Sequence, residues 1–89
     1  MHASIIVQGL VQGVGFRSFV YGTATRMGLT GHVSNMPDGT VQVIAEGDKG
    51  LLSDLIKELK IGPIGSEVTA VDVKWSEEEE GYNDFGLEY

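Results

Sequence analysis

The sequence predicts an α+β sandwich of split βαβ, ferredoxin-like order: β-α-β-β-α-β plus a short C-terminal strand, with two helices on one face of a mixed, largely antiparallel sheet. Three observations carry this. Phe16 to Met27 and Asp48 to Lys60 each repeat apolar residues at helical spacing. Alternating or β-branched runs flank both of them. Between the second and third of these runs stands Pro37-Asp38-Gly39, which leaves room for a tight turn and so makes a hairpin. A chain of 89 residues forms one domain, residues 1–89, with one core; no linker, repeat or low-complexity tract divides it.

The elements follow in order. Ala3 to Leu10 reads as a strand with Ile5 and Val7 on one face and Ile6 on the other, as suits a central position. In the first helix Phe16, Phe19, Val20, Thr23, Ala24 and Met27 form the core stripe. Gly28 supplies a left-handed stop, and Leu29 caps it as in a Schellman motif. Thr30 to Asn35 is the second strand, and Thr40 to Glu46 the third, with Val41, Val43 and Ala45 on one face. Asp48 is placed to cap the second helix, whose stripe is Leu51, Leu52, Leu55, Ile56 and Leu59; Gly62 and Pro63 end it. Glu67 to Trp75 is the fourth strand, with Thr69, Val71, Val73 and Trp75 facing one way. Glu77 to Glu80 reads as a solvated loop, since adjacent glutamates do not converge on a metal without a partner. Phe85, Leu87 and Tyr89 alternate with Gly86 and Glu88 as a short fifth strand. In this topology the first strand lies between the third and fourth, and the second pairs with the third.

Composition narrows the function. The formal net charge is −7, and the 6 basic residues are scattered. Nucleic-acid affinity rests on phosphate neutralisation, so nucleic acid is not an expected partner. No apolar run approaches the roughly 20 residues of a membrane span, and no basic-then-apolar leader opens the chain. There is no cysteine, hence no disulfide framework or thiolate zinc site, which fits the reducing cytoplasm expected for it.

Gln8 to Ser18, Gln-Gly-Leu-Val-Gln-Gly-Val-Gly-Phe-Arg-Ser, is the stretch with chemistry in it. Gly9, Gly13 and Gly15 fall where a strand must become a helix. Glycines there let several amides face one hollow, and the new helix adds its unpaired N–H groups and positive dipole end. Such a hollow binds phosphate-like anions. Arg17 stands at its rim with a planar fork suited to phosphate oxygens. A tight turn with a surface arginine would use the same residues. However, a cation in the first helical turn opposes the dipole, and an anion in the hollow would account for it. The third glycine of a dinucleotide fingerprint is missing, and no Gly-Lys-Ser or Gly-Lys-Thr occurs, so neither a Rossmann nor a Walker loop is present. Topology adds one more residue. The first and second strands run in the same direction, so Asn35, ending the second, shares a sheet edge with the cradle ending the first.

Val11-Gln12-Gly13-Val14-Gly15-Phe16-Arg17 is similar to the signature of the acylphosphatases. The resemblance continues through Gly28-Leu29-Thr30-Gly31-His32-Val33-Ser34-Asn35, Asp38-Gly39-Thr40-Val41, Ala45-Glu46-Gly47, Gly62-Pro63 and Phe85-Gly86-Leu87-Glu88, and so covers nearly the whole chain. It implies a metal-independent hydrolase, without cofactor, that converts a small acyl phosphate to a carboxylate and inorganic phosphate; a cytoplasmic monomer is the separate expectation for the chain. Carried over by position, Arg17 and the loop amides of Gln12, Gly13, Val14, Gly15 and Phe16 bind the phosphoryl group, and Asn35 orients the attacking water. His32 stands where the family commonly has tryptophan, and is expected to pack as an aromatic substitute or to titrate beside the site. Ser34 replaces a frequently basic residue. If the fifth strand lies parallel to the second, the α-carboxylate of Tyr89 would pair with Arg17.

Other readings use the same fold, which hosts many functions. One is a non-catalytic anion- or metabolite-binding domain. Another is a carbamoyl-phosphate-handling domain like that of the hydrogenase-maturation carbamoyltransferases; a sequence stopping at Tyr89 favours the free enzyme over it. An RNA-binding module is disfavoured by the charge and by the lack of an aromatic-basic motif on the third strand.

Overall fold

A computed structural model describes residues 1–88 of the chain. The elements are β1 (His2–Leu10), α1 (Phe16–Arg26), β2 (Thr30–Asn35), β3 (Val41–Glu46), α2 (Lys49–Ile61), β4 (Glu67–Ser76) and β5 (Phe85–Leu87). The five strands form one sheet in the order β4-β1-β3-β2-β5. Its pairs are antiparallel apart from β2 and β5, which run parallel. The predicted architecture is the observed one, including the central place of β1.

Local chemistry sets the helix ends. Asp48 caps α2 by accepting from the amides of Gly50 at 2.9 Å and Leu51 at 3.3 Å. At the end of α1 the Leu29 amide reaches the Ala24 carbonyl and the Gly28 amide the Thr25 carbonyl, the two bonds of a Schellman motif. Met27 therefore serves as the cap rather than the last helical residue.

The helices bury their stripes against one face of the sheet. Phe16, Val20 and Ala24 of α1 and Leu52, Leu55 and Leu59 of α2 meet Ile5, Val7, Val33 and Val43, all essentially inaccessible to solvent. Fully burying one such side chain contributes roughly 1.5–3 kcal/mol. Leu51 departs from the expected α2 stripe and stays 38% exposed. Standing in the first turn, it lies at the margin of the packed face.

The fourth strand corrects the sequence reading more sharply. Gln8 pairs with Ala70 but Gly9 pairs with Val68, so Thr69 is an extra residue in β4. A bulge shifts the inward positions by one. Val68, Val71 and Val73 thus pack against the core while Thr69 is exposed. Period-two counting cannot see that insertion. The backbones come so close there that a Cβ on Gly9, whose φ is 124°, would lie 2.0 Å from the Glu67 carbonyl oxygen.

The acidic segment after β4 is tied down by a residue the sequence reading left in the sheet. Glu46, at the end of β3 and 3% exposed, bonds to His2 Nδ1 at 2.6 Å and accepts from the amides of Glu80 at 2.6 Å and Gly81 at 3.0 Å. Burial opposes ionisation of Glu46, but those hydrogen bonds and the charge of His2 outweigh it and hold the carboxyl below its ordinary value. Among the described residues, no helix is long and apolar enough to cross a membrane.

Two outcomes follow from this frame. Gly9→Ala is expected to cost at least about 2 kcal/mol of stability, read from a urea midpoint, because strain and backbone overlap add. Glu46 has a depressed folded pKa, so its contribution is present above the unfolded carboxylate value and lost as pH falls through the folded one. Glu46→Gln should lower stability at neutral pH by about 1–3 kcal/mol and flatten the acid limb of a stability–pH curve.

Candidate active site

The loop from β1 into α1 is built on left-handed glycines. Gly13 has φ 75° and Gly15, the N-cap of α1, has φ 77°. A Cβ at either would meet open space, so it is the backbone conformation, not crowding, that calls for glycine. With the chain so bent, the amides of Gly13, Val14, Gly15, Phe16 and Ser18 have no acceptor among the described residues; the first helical bond runs from the Phe19 amide to the Gly15 carbonyl at 3.0 Å. No acidic side chain sits in that first turn. It is therefore an electropositive helix end, of the kind that attracts anions.

At this bend lies a hollow of about 140 Å³ lined by Val11, Gly13, Gly15, Phe16, Arg17, Ser18, Asn35 and Leu87. Pockets for drug-sized ligands span roughly 300–1,000 Å³, so this one suits a phosphoryl-sized head group. Arg17 and Asn35 thus line one space. Register explains how. Val7 of β1 and Asn35 of β2 both stand opposite Val41, one on each side of β3. Two strand spacings, about 10 Å, separate them.

The five predicted loop residues divide. Gly13, Gly15 and Phe16 border the hollow. The Phe16 ring itself is core, 1% exposed. Val14 packs against the core. Gln12 turns its carboxamide away, donating to the carbonyls of Met36 and Thr40, each at 2.8 Å. It thereby staples the loop to the β2–β3 turn just past Asn35. In that turn the Asp38 carboxylate accepts from the Thr40 hydroxyl at 2.6 Å and amide at 3.0 Å. These two bonds, hydroxyl first, pull its pKa below the ordinary value.

Asn35 Oδ1 is buried and has no hydrogen-bond partner among the described residues. Buried polar atoms are nearly always satisfied, so an orphaned acceptor beside the hollow marks a place for a water or a ligand group. Arg17 donates from Nη1 to the Glu88 carbonyl at 2.7 Å, which aligns the guanidinium along the chain leaving β5. The expected pairing with the Tyr89 carboxylate falls outside the described residues. His32 lies edge-on to Tyr82, ring centroids 5.5 Å apart, in keeping with an aromatic packing role. Ser18, Val11 and Leu87 also line the hollow and were not singled out from sequence. Ser18 carried a chemical signal, a hydroxyl in the first turn beside the arginine, while Val11 and Leu87 stood within the acylphosphatase-like blocks without an assigned role. Among the described residues no group of three or more His, Asp or Glu side chains gathers to hold a metal.

The fold and hollow define an α+β sandwich with a glycine-built hollow, bordered by Arg17 and Asn35, at one sheet edge. Comparison with known proteins narrows the class. The acylphosphatase family model matches residues 3–87. An acylphosphatase of Chlorobaculum tepidum is 49% identical over 83 residues, covering 93% of this chain and 90% of its own. The crystal structure of acylphosphatase from Bacillus subtilis superposes with TM-score 0.97 at 41% identity, over 99% of this chain and 98% of that one. Full-length HypF, in a phosphate- and nucleotide-bound form, matches with TM-score 0.89 at 34% identity, over 99% of this chain but 12% of its own. The chain belongs to the acylphosphatase family. It is a hydrolase whose substrate is a small acyl phosphate.

Gln12→Ala should cost about 1–2 kcal/mol by removing two hydrogen bonds, measured by chemical denaturation; the two carbonyls keep their backbone donors, the amides of Gly39 and Met36. Turnover should fall as well, because the cradle and Asn35 then lose their common tie.

Proposed function

We propose that the cradle holds the phosphoryl group of the acyl phosphate, with Arg17 and the amides from Gln12 to Phe16 as its ligands and Asn35 as the group that positions the attacking water. The single observation carrying this reading is the orphaned, buried Asn35 Oδ1 in a hollow it shares with Arg17 and unpaired amides.

The chemistry balances without a cofactor. Amides and guanidinium bind the non-bridging oxygens, where charge accumulates in the transition state. A water donates one hydrogen bond to Asn35 Oδ1 and points a lone pair at phosphorus. The new P–O bond forms as the bond to the acyl oxygen breaks, releasing a carboxylate. A carboxamide is no base at neutral pH, so the water's proton passes to a phosphate oxygen. Positioning and charge stabilisation then provide the acceleration. On this reading the reaction runs without metal, in one domain spanning the chain, as a monomer and in the cytoplasm.

The likeness to a small part of HypF favours a second reading. On that reading the hollow of this chain handles phosphate or a carbamoyl phosphate as a non-catalytic domain, and phosphate would bind without turnover.

Benzoyl phosphate hydrolysis in excess chelator separates the two. The native chain should turn over. Arg17→Ala should lose at least about 10³-fold in kcat/KM together with phosphate affinity. Asn35→Ala should lose about 10²–10³-fold in kcat with KM little changed. Phosphate binding with no hydrolysis by the native chain would overturn the catalytic assignment.

A further inference from the structure

We propose that His32 is a positioning residue for Arg17, acting through Glu88: the imidazolium grips the Glu88 carboxylate, and the Glu88 carbonyl in turn aligns the guanidinium over the hollow. This rests on the reading of Arg17 as the phosphoryl-binding side chain.

Glu88 is held three ways. Its amide donates to the Val33 carbonyl at 2.8 Å, extending the β2–β5 ladder beyond β5. Its carbonyl accepts from Arg17 Nη1 at 2.7 Å. Its carboxylate lies 3.7 Å from His32 Nε2, an ion-pair distance rather than a hydrogen bond. β5 has three residues, so little else on that strand fixes the peptide that meets Arg17. Gly86 stands directly opposite His32, and its missing side chain leaves the space between His32 and Glu88 open.

The groups around His32 leave Glu88 as the responsive partner. From β3, Ile44 stands opposite, and Glu46 is the next residue on that face; its carboxylate is already engaged by His2 and two amides. From the β4–β5 segment come Tyr82, against the imidazole edge, and Glu80 nearby. Burial and then the charges of Glu80, Glu46 and Glu88 raise the Tyr82 pKa above 10.0, so the phenol stays neutral. The pair attracts only when the imidazole carries a proton, so the protonated form grips Glu88 and the neutral form does not. Glu88 is 57% exposed at its side chain, which keeps the coupling modest.

The test is calorimetric titration of inorganic phosphate into native protein, His32→Phe, Glu88→Gln, their double variant and His32→Lys, at about pH 5.5 and about pH 8.5. Phosphate ionisation is common to all, so the variant-to-native affinity ratio reads the protein. At the lower pH, His32→Phe and Glu88→Gln should each bind about 2–5-fold more weakly than native, and the double variant no more weakly than either. At the higher pH neither single variant should bind more weakly than native. His32→Lys, charged at both, should hold native low-pH affinity and exceed native at high pH. Equal weakening at both pH values, or additive losses in the double variant, would overturn the proposal in favour of a purely structural role. Arg17→Ala keeps the two levels apart. Undiminished phosphate binding there removes the Arg17 assignment itself, whereas lost binding with pH-independent ratios for His32→Phe removes only the link through Glu88.

Discussion

The two hydrogen bonds from the Gln12 carboxamide to the Met36 and Thr40 carbonyls are the interaction on which the site depends. The core brings β1 and β2 to the same sheet edge, but apolar packing is non-directional. On the proposed reading, a water held by Asn35 and an anion held by the loop must meet within roughly half an ångström. A side chain leaving the cradle and ending on the turn beside Asn35 supplies that register. It explains why the loop's one long polar residue faces away from the hollow it helps build.

Sheet order supplies the remaining wall. β5 joins β2 in parallel at the sheet edge, and α1 packs across both, with Tyr21 and Phe85 in ring contact at 6.5 Å. A helix so placed projects its first turn toward the end of β5. Leu87 thus lines the hollow and Glu88 meets Arg17. A strand of three residues comes to wall the hollow because a helix N-terminus ends beside it.

Much of this was legible in the residues. Helical spacing, Asp48, Gly28 and Pro37-Asp38-Gly39 marked the element boundaries because each acts on its own few residues. Strand order followed from the sequence of elements. Arg17 and Asn35 could be placed at one edge because parallel strands end on the same side. What escaped were features set by distant chain segments. The bulge at Thr69 exists because Gly9 admits the Glu67 carbonyl, and the outward face of Leu51 depends on where α2 meets the sheet. The Gln12 staple needs partners 24 and 28 residues on. The buried Glu46 read as one more strand residue, because its amide donors come from Glu80 and Gly81.

That last contact has an electrostatic result. β3 runs from Val41, beside Asn35, to Glu46, where the segment holding Glu77 to Glu80 is moored. Five residues of strand, about 17 Å, part the two ends, and the Debye length at physiological ionic strength is about 8 Å. Four of the chain's 13 carboxylates are therefore stored at the pole remote from the cradle. Those four charges sit beyond the range at which they would repel an anionic reactant, which eases its approach to a chain of net charge −7.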